Sequence, residues 1–174
     1  MKAKFNNRGF TLIEVIVAIA VIVTALIGSV ALISFSVSST RTSRSRIIAE
    51  GLTQEGLEIV RNIRDNNWLN FKRKASDWRD GLPEGNWRVE YDKLQLLSDA
   101  SSTLMLDPSG FYFYQDQGTR TGSVATPFQR RVGIEYIGNN QIKATSEVTW
   151  QENGRQNSVK AELILYNWLE EPET

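Results

Sequence analysis

The side chains that carry most enzyme chemistry are missing from this chain. It has no Cys and no His, which excludes thiol nucleophiles, disulfides and Cys-based zinc sites and removes the commonest general base. What remains is charge in unusual places. One carboxylate, Glu14, stands in an otherwise uncharged stretch from Phe10 to Thr40. An acid well inside lipid costs about 2.5–3.5 kcal/mol on insertion scales, whereas near a helix end it can snorkel to the interface. Lys72, Arg73 and Lys74 lie among Trp68, Phe71 and Trp78, the basic and aromatic mixture of single-strand nucleic-acid surfaces. A cationic helix end above aromatic core residues gives the same pattern and is the simpler reading, so no nucleic acid is expected as a partner. Asp77, Asp80, Asp92 and Asp99 lack the spacing of a calcium loop, and neither a P-loop nor a dinucleotide fingerprint occurs. The chain is therefore expected to have no catalytic residues, no metal and no cofactor.

The uncharged stretch determines what must position Glu14. Val15 to Ile33 is apolar except for Thr24, Gly28 and Ser29, and about 20 such residues span a hydrocarbon core of about 30 Å as a helix. Its wealth of Val and Ile suggests a strand in water, but lipid leaves only helices and closed barrels able to satisfy the backbone. One spanning helix follows. A secretory signal peptide fits less well, because the Ala18-Ile19-Ala20 pattern falls in the middle of the apolar run rather than at its end. Lys2, Lys4, Arg8 and the α-amine on one side against Arg41, Arg44 and Arg46 on the other weakly favour a cytoplasmic N-terminus.

Arg8 and Gly9 directly precede Phe10-Thr11-Leu12-Ile13-Glu14-Val15. This order of basic leader, glycine, aromatic residue, T-L-I-E-V and spanning run resembles the type III signal of type IV pilins and type II secretion pseudopilins. The resemblance implies that a prepilin peptidase cuts after Gly9 and methylates the new amino terminus on Phe10. It also implies that Glu14, then fifth in the mature chain, pairs with the terminal amine of a neighbouring subunit during assembly. Such a pair is physically reasonable, since an α-amine is mostly charged near neutral pH and each partner relieves the other's burial.

Beyond Thr40 the apolar stripe continues at helical spacing through Ile48, Leu52, Ile59 and Ile63, widened by Leu57 and Val60, and no proline occurs before Pro83. The spacing predicts one helix from Phe10 to about Asn66, a rod of roughly 85 Å. The run from Ala49 to Asp65 is similar to minor pilins of the PilV and GspI-like kind. Strand patterns follow at Trp87–Leu97, Leu104–Leu106, Phe111–Tyr114, Arg131–Ile137, Ile142–Gln151 and Ser158–Trp168. Asp107-Pro108-Ser109-Gly110 has type I turn residues, and Gly138-Asn139-Asn140 and Asn153-Gly154 have hairpin chemistry. The last three strands should form an antiparallel meander, with Ile142, Ala144, Val148, Trp150, Val159, Ala161, Leu163 and Leu165 on its covered face. The polar stretch Gln115 to Pro127 reads as a loop, either a contact surface or disordered. An α+β fold follows, a long N-terminal hydrophobic helix packed on an antiparallel sheet, as in type IV pilins.

Charge divides the chain further. Arg41 to Ala75 holds eight basic and four acidic residues, and Ser76 onward nine basic and fifteen acidic. The positive distal helix and negative head would suit complementary lateral contacts sensitive to salt. The expected organisation is a leader (1–9), a transmembrane and assembly half-helix (10–40), an amphipathic half-helix (41–75) and a β-rich head (76–174). The expected partners are prepilin peptidase, other pilin or pseudopilin subunits, an inner-membrane assembly platform and membrane lipid. The protein would sit in the inner membrane with an extracytoplasmic head, then enter a surface or periplasmic filament. A single-pass anchored adhesin or receptor, or a DNA-uptake pseudopilin, are the alternatives.

Overall fold

The computed structural model describes residues 9, 11–71, 77–93, 95–98, 103–115 and 120–168. One helix, α1 (Leu12–Phe71), precedes six strands: β1 (Gly85–Trp87), β2 (Thr103–Leu106), β3 (Tyr112–Tyr114), β4 (Val124–Ile137), β5 (Gln141–Glu152) and β6 (Arg155–Tyr166). Two compact units result, Met1–Arg44 and Ser45–Thr174. In the first, α1 exposes every described side chain, including Leu12, Ile16, Ile27 and Phe35. In the second, the rest of α1 packs on an antiparallel sheet, the α+β arrangement expected. The helix extends past the predicted Asn66 because Trp68 is buried in the core, with the Arg64 guanidinium one turn back lying 4.5 Å from its ring centre.

The sheet order is β3-β2-β4-β5-β6, and β1 pairs with the β2 side of β4 farther along its length. The hairpin turns are those the residues dictate. Asn153 (φ 51°) and Gly154 (φ 74°) form a two-residue connection between Glu152 and Arg155, and positive φ at both positions is what a type I′ turn needs. At the turn after β2, Gly110 N–H donates to Asp107 O (3.0 Å), while the Asp107 carboxylate accepts the amides of Ser109 and Phe111, both at 2.9 Å.

Two expectations are corrected. Val124–Pro127 is not loop but the start of β4, which begins seven residues before the predicted Arg131. Pro127 is tolerated because the β2–β4 register shifts between Thr103 and Met105, so the residue lacking an N–H sits at an irregularity in the ladder. Thr126 Oγ1 helps bridge it by donating to Leu104 O (2.6 Å). The predicted strand Trp87–Leu97 shrinks to β1 plus one isolated bridge between Arg88 and Leu97. The alternation is lost there, because the consecutive residues Arg88, Val89 and Glu90 are all buried.

The core lies between α1 and the inward faces of β4 and β5. Leu57, Val60 and Ile63 pack with Val132, Ile134, Ile142 and Ala144 at one end. Ala49 and Leu52 pack with Leu104, Tyr114, Phe128, Val148 and Trp150 at the other. A polar belt runs between them. Arg130, with no exposed surface, pairs with Glu55 (Nη1 to Oε1, 2.9 Å) and donates to Leu52 O (3.2 Å) and Val89 O (2.6 Å). Gly56 lets the helix approach here, since a Cβ on it would stand 2.5 Å from Ser146 Oγ. On β6, Val159, Ala161 and Leu163 are only half-buried because it is the outer strand of the sheet, while Leu165 is covered.

A second arginine fastens the loops. Arg120 donates to Asp107 Oδ2 (2.8 Å) and to the Tyr91 hydroxyl (3.2 Å), pairs with Asp92 (3.4 Å) and lies over the Phe113 ring (4.4 Å). The Phe111 amide, then Arg120, hold the Asp107 carboxyl below its ordinary value against an opposing desolvation.

Two outcomes follow. Arg130→Met takes the donor from the buried Val89 carbonyl and the cation from Glu55, and should cost about 2–4 kcal/mol in urea unfolding of the full chain in detergent micelles, followed by Trp fluorescence. Full stability in that variant would refute the role given to the polar belt. Because folding lowers the pKa of Asp107, the native state binds fewer protons than the unfolded one; the stabilisation is complete above the ordinary value of 3.8 and is lost as pH falls through the lower native value. Asp107→Asn should therefore flatten the acid limb of a stability–pH curve below that value, and an unchanged limb would contradict it.

Candidate functional site

The residues singled out by chemistry lie at the start of α1. Thr11 is not helical, and its carbonyl accepts the Glu14 and Val15 amides at 3.1 and 3.3 Å. Its hydroxyl also accepts the Glu14 N–H (3.3 Å), which makes Thr11 the N-cap and Glu14 the third helical residue. A carboxylate in the first turn is favoured there by the helix dipole. Glu14 is exposed, and among the described residues its carboxylate has no ion-pair partner. Gly9 is exposed, lies ahead of the helix, and has open space where a side chain would stand. Phe10 lies outside the described residues, as do Lys72, Arg73 and Lys74.

From Leu12 onward the helix is built for a medium without water. Four of its hydroxyls donate to the carbonyl one turn back: Thr24 to Ala20 (2.8 Å), Ser29 to Ala25 (2.8 Å), Ser34 to Val30 (3.0 Å) and Thr40 to Ser36 (2.9 Å). In hydrocarbon an unsatisfied hydroxyl is costly, and this bond supplies a partner without leaving the helix. The helix contains a window long and apolar enough to cross a membrane, none of it buried.

Elsewhere no constellation converges. Among the described residues no group of three or more Asp or Glu is placed to hold a metal ion. One open groove on the sheet is lined mainly by Thr and Gln, among them Thr126, Gln129, Thr149 and Gln156, and another by charges of both signs, among them Arg131, Glu135, Lys143 and Glu147.

Residues 4–35 match the prokaryotic N-terminal methylation motif. That motif is the signal of type IV pilins and pseudopilins, so this chain carries a pilin-type N-terminus on a pilin-like α+β fold. No curated protein and no solved structure matches the chain.

Sequence reasoning singled out Gly9, Phe10 and Glu14 as candidates but passed over Thr11. The signal was present, since Thr11-Leu12-Ile13-Glu14 has the S/T-x-x-E spacing of a capping box. Thr11→Ala should remove about 1 kcal/mol from the first turn, and amide exchange at Glu14 and Val15 in micelles should speed up about fivefold. Unchanged exchange would mean that the hydroxyl contributes nothing to the cap.

Proposed function

We propose that this protein is a minor type IV pilin or type II secretion pseudopilin, a structural filament subunit rather than an enzyme. Prepilin peptidase cleaves after Gly9 and methylates Phe10, and residues 10–40 hold the subunit in the inner membrane until an assembly platform extracts it. Glu14 then pairs with the terminal amine of a neighbouring subunit, selecting its register. Residues 41–75 and 76–174 supply the amphipathic half-helix and the head that meet other subunits. The single observation that carries this reading is an unpartnered carboxylate in the first turn of an exposed apolar helix, inside a methylation motif.

Several features support the details. Gly9 is exposed and non-helical, which suits a backbone that must enter a peptidase site. Glu14 in lipid needs a cation, and the leader's removal creates one by freeing the α-amine of Phe10. The minor-pilin assignment rests on the likeness of the stretch from Ala49 to Asp65, and on that of Val148-Thr149-Trp150 and Leu165-Tyr166-Asn167-Trp168 in the head.

The test is intact mass spectrometry of the protein from membranes with and without active prepilin peptidase. The expected product, seen only with the peptidase, is Phe10–Thr174 plus one methyl group. Glu14→Ala should be processed like the parent yet fail to enter filaments. Uncut protein under both conditions would leave an anchored adhesin or receptor as the account, and normal assembly of Glu14→Ala would remove the pairing.

A further inference from the structure

The other end of the apolar stretch carries a feature of its own. Arg41 and Arg44 are the first charges after Glu14, are three residues apart and so share a helix face, and are both exposed. No carboxylate lies within a turn of either. Among the described residues neither has an ion-pair or hydrogen-bond partner, whereas Arg46 on a different face is satisfied by Glu50 at 3.0 Å. From Glu14 to Arg41 an α-helix rises about 40 Å, which matches the thickness of a bilayer measured through its headgroup regions, about 40–45 Å. With Glu14 at one interface, Arg41 and Arg44 stand at the phosphate level of the opposite leaflet.

We propose that Arg41 and Arg44 grip lipid phosphodiester groups of the leaflet opposite the Glu14 end, and so set the depth at which the subunit is stored. This rests on the reading of α1 as membrane-spanning. A guanidinium fork matches two phosphate oxygens, and a pair on one face can hold adjacent headgroups. The contact acquires a role through the leader. Before cleavage Lys2, Lys4 and Arg8 provide basic anchoring at the N-terminal side. Afterwards they are gone, the new amine is opposed by Glu14, and the arginine pair is the chief basic anchor left. Cleavage thus moves the electrostatic hold from one leaflet to the other, on the side from which the subunit leaves.

Solid-state NMR tests this directly. The full chain with Arg8→Gln, its guanidinium carbons labelled with carbon-13, is reconstituted in phosphatidylethanolamine–phosphatidylglycerol vesicles in phosphate-free buffer. Phosphorus-31 dephasing of the guanidinium signal is then compared with that of the same chain carrying Arg41→Gln and Arg44→Gln. Insertion of both is scored by resistance to alkaline carbonate extraction. The expected result is that both remain inserted and the double substitution reduces the dephased fraction about twofold or more. Equal dephasing in two inserted chains overturns the phosphate contact and leaves a neighbour's carboxylates as the partner of these arginines. Carbonate extraction of the parent overturns the spanning reading itself, and the contact with it.

Discussion

The head depends on one buried guanidinium. Arg130 reaches from β4 to the Glu55 carboxylate and the Leu52 carbonyl on α1, and to the Val89 carbonyl in the loop after β1. Three pieces of chain that are distant in sequence thereby share one charge. A buried ion pair adds little net stability over a well-packed apolar substitute, but losing one partner is costly. The interaction therefore selects a register more than it adds energy. The apolar clusters on either side, around Val60 and around Leu52, would tolerate the helix slipping along the sheet. A fixed donor between them, facing carbonyls at set heights, would not. Gly56 and Ser146 belong to the same constraint, because only a glycine admits the sheet this close to the helix.

The N-terminal unit obeys a different solvent. Among the described residues its side chains are all exposed, so its order comes from backbone hydrogen bonds, the Thr11 cap and hydroxyls that bond within the helix. The same residues in water would present a large apolar surface that soluble monomers do not tolerate. Lipid, or the helices of other subunits, is the environment in which this surface has a partner. The methylation motif over residues 4–35 covers this unit and no part of the head.

How much was legible follows the same division. Period and charge sufficed for α1, for β5 and for β6, because a long helix and a half-buried meander write strong repeating patterns. Turn residues located the hairpins, since Asn153 and Gly154 are among the few residue types that accept positive φ. The start of β4 was hidden by Pro127 and its neighbours, whose strand conformation is imposed by pairing with β2 before the β5 ladder begins at Phe128. Arg130 itself could not be singled out, because sequence does not say which of two adjacent arginines faces inward until the register of β4 is known. Arg130 is fully buried and Arg131 exposed, a difference of one residue in a period of two.

That one-residue difference bears on the charge pattern too. Counted along the chain, the basic surplus of the distal helix and the acidic surplus of the head look like two complementary surfaces. In the folded head several individual charges already have partners, although the surplus itself is unchanged: Arg130 pairs with Glu55, Lys93 with Glu90, Arg120 with Asp92 and Asp107, and Lys160 with Glu162. Charges committed inside a subunit are poor instruments for joining subunits, because each new contact must displace a partner already in place. Arg41, Arg44 and Glu14 carry no such commitment among the described residues. They bracket the apolar stretch, where one displaced water counts for more than on the wet surface of the head. Under the proposed function, the charges at the two ends of the apolar helix are the ones through which lipid or a neighbouring subunit would act on this unit.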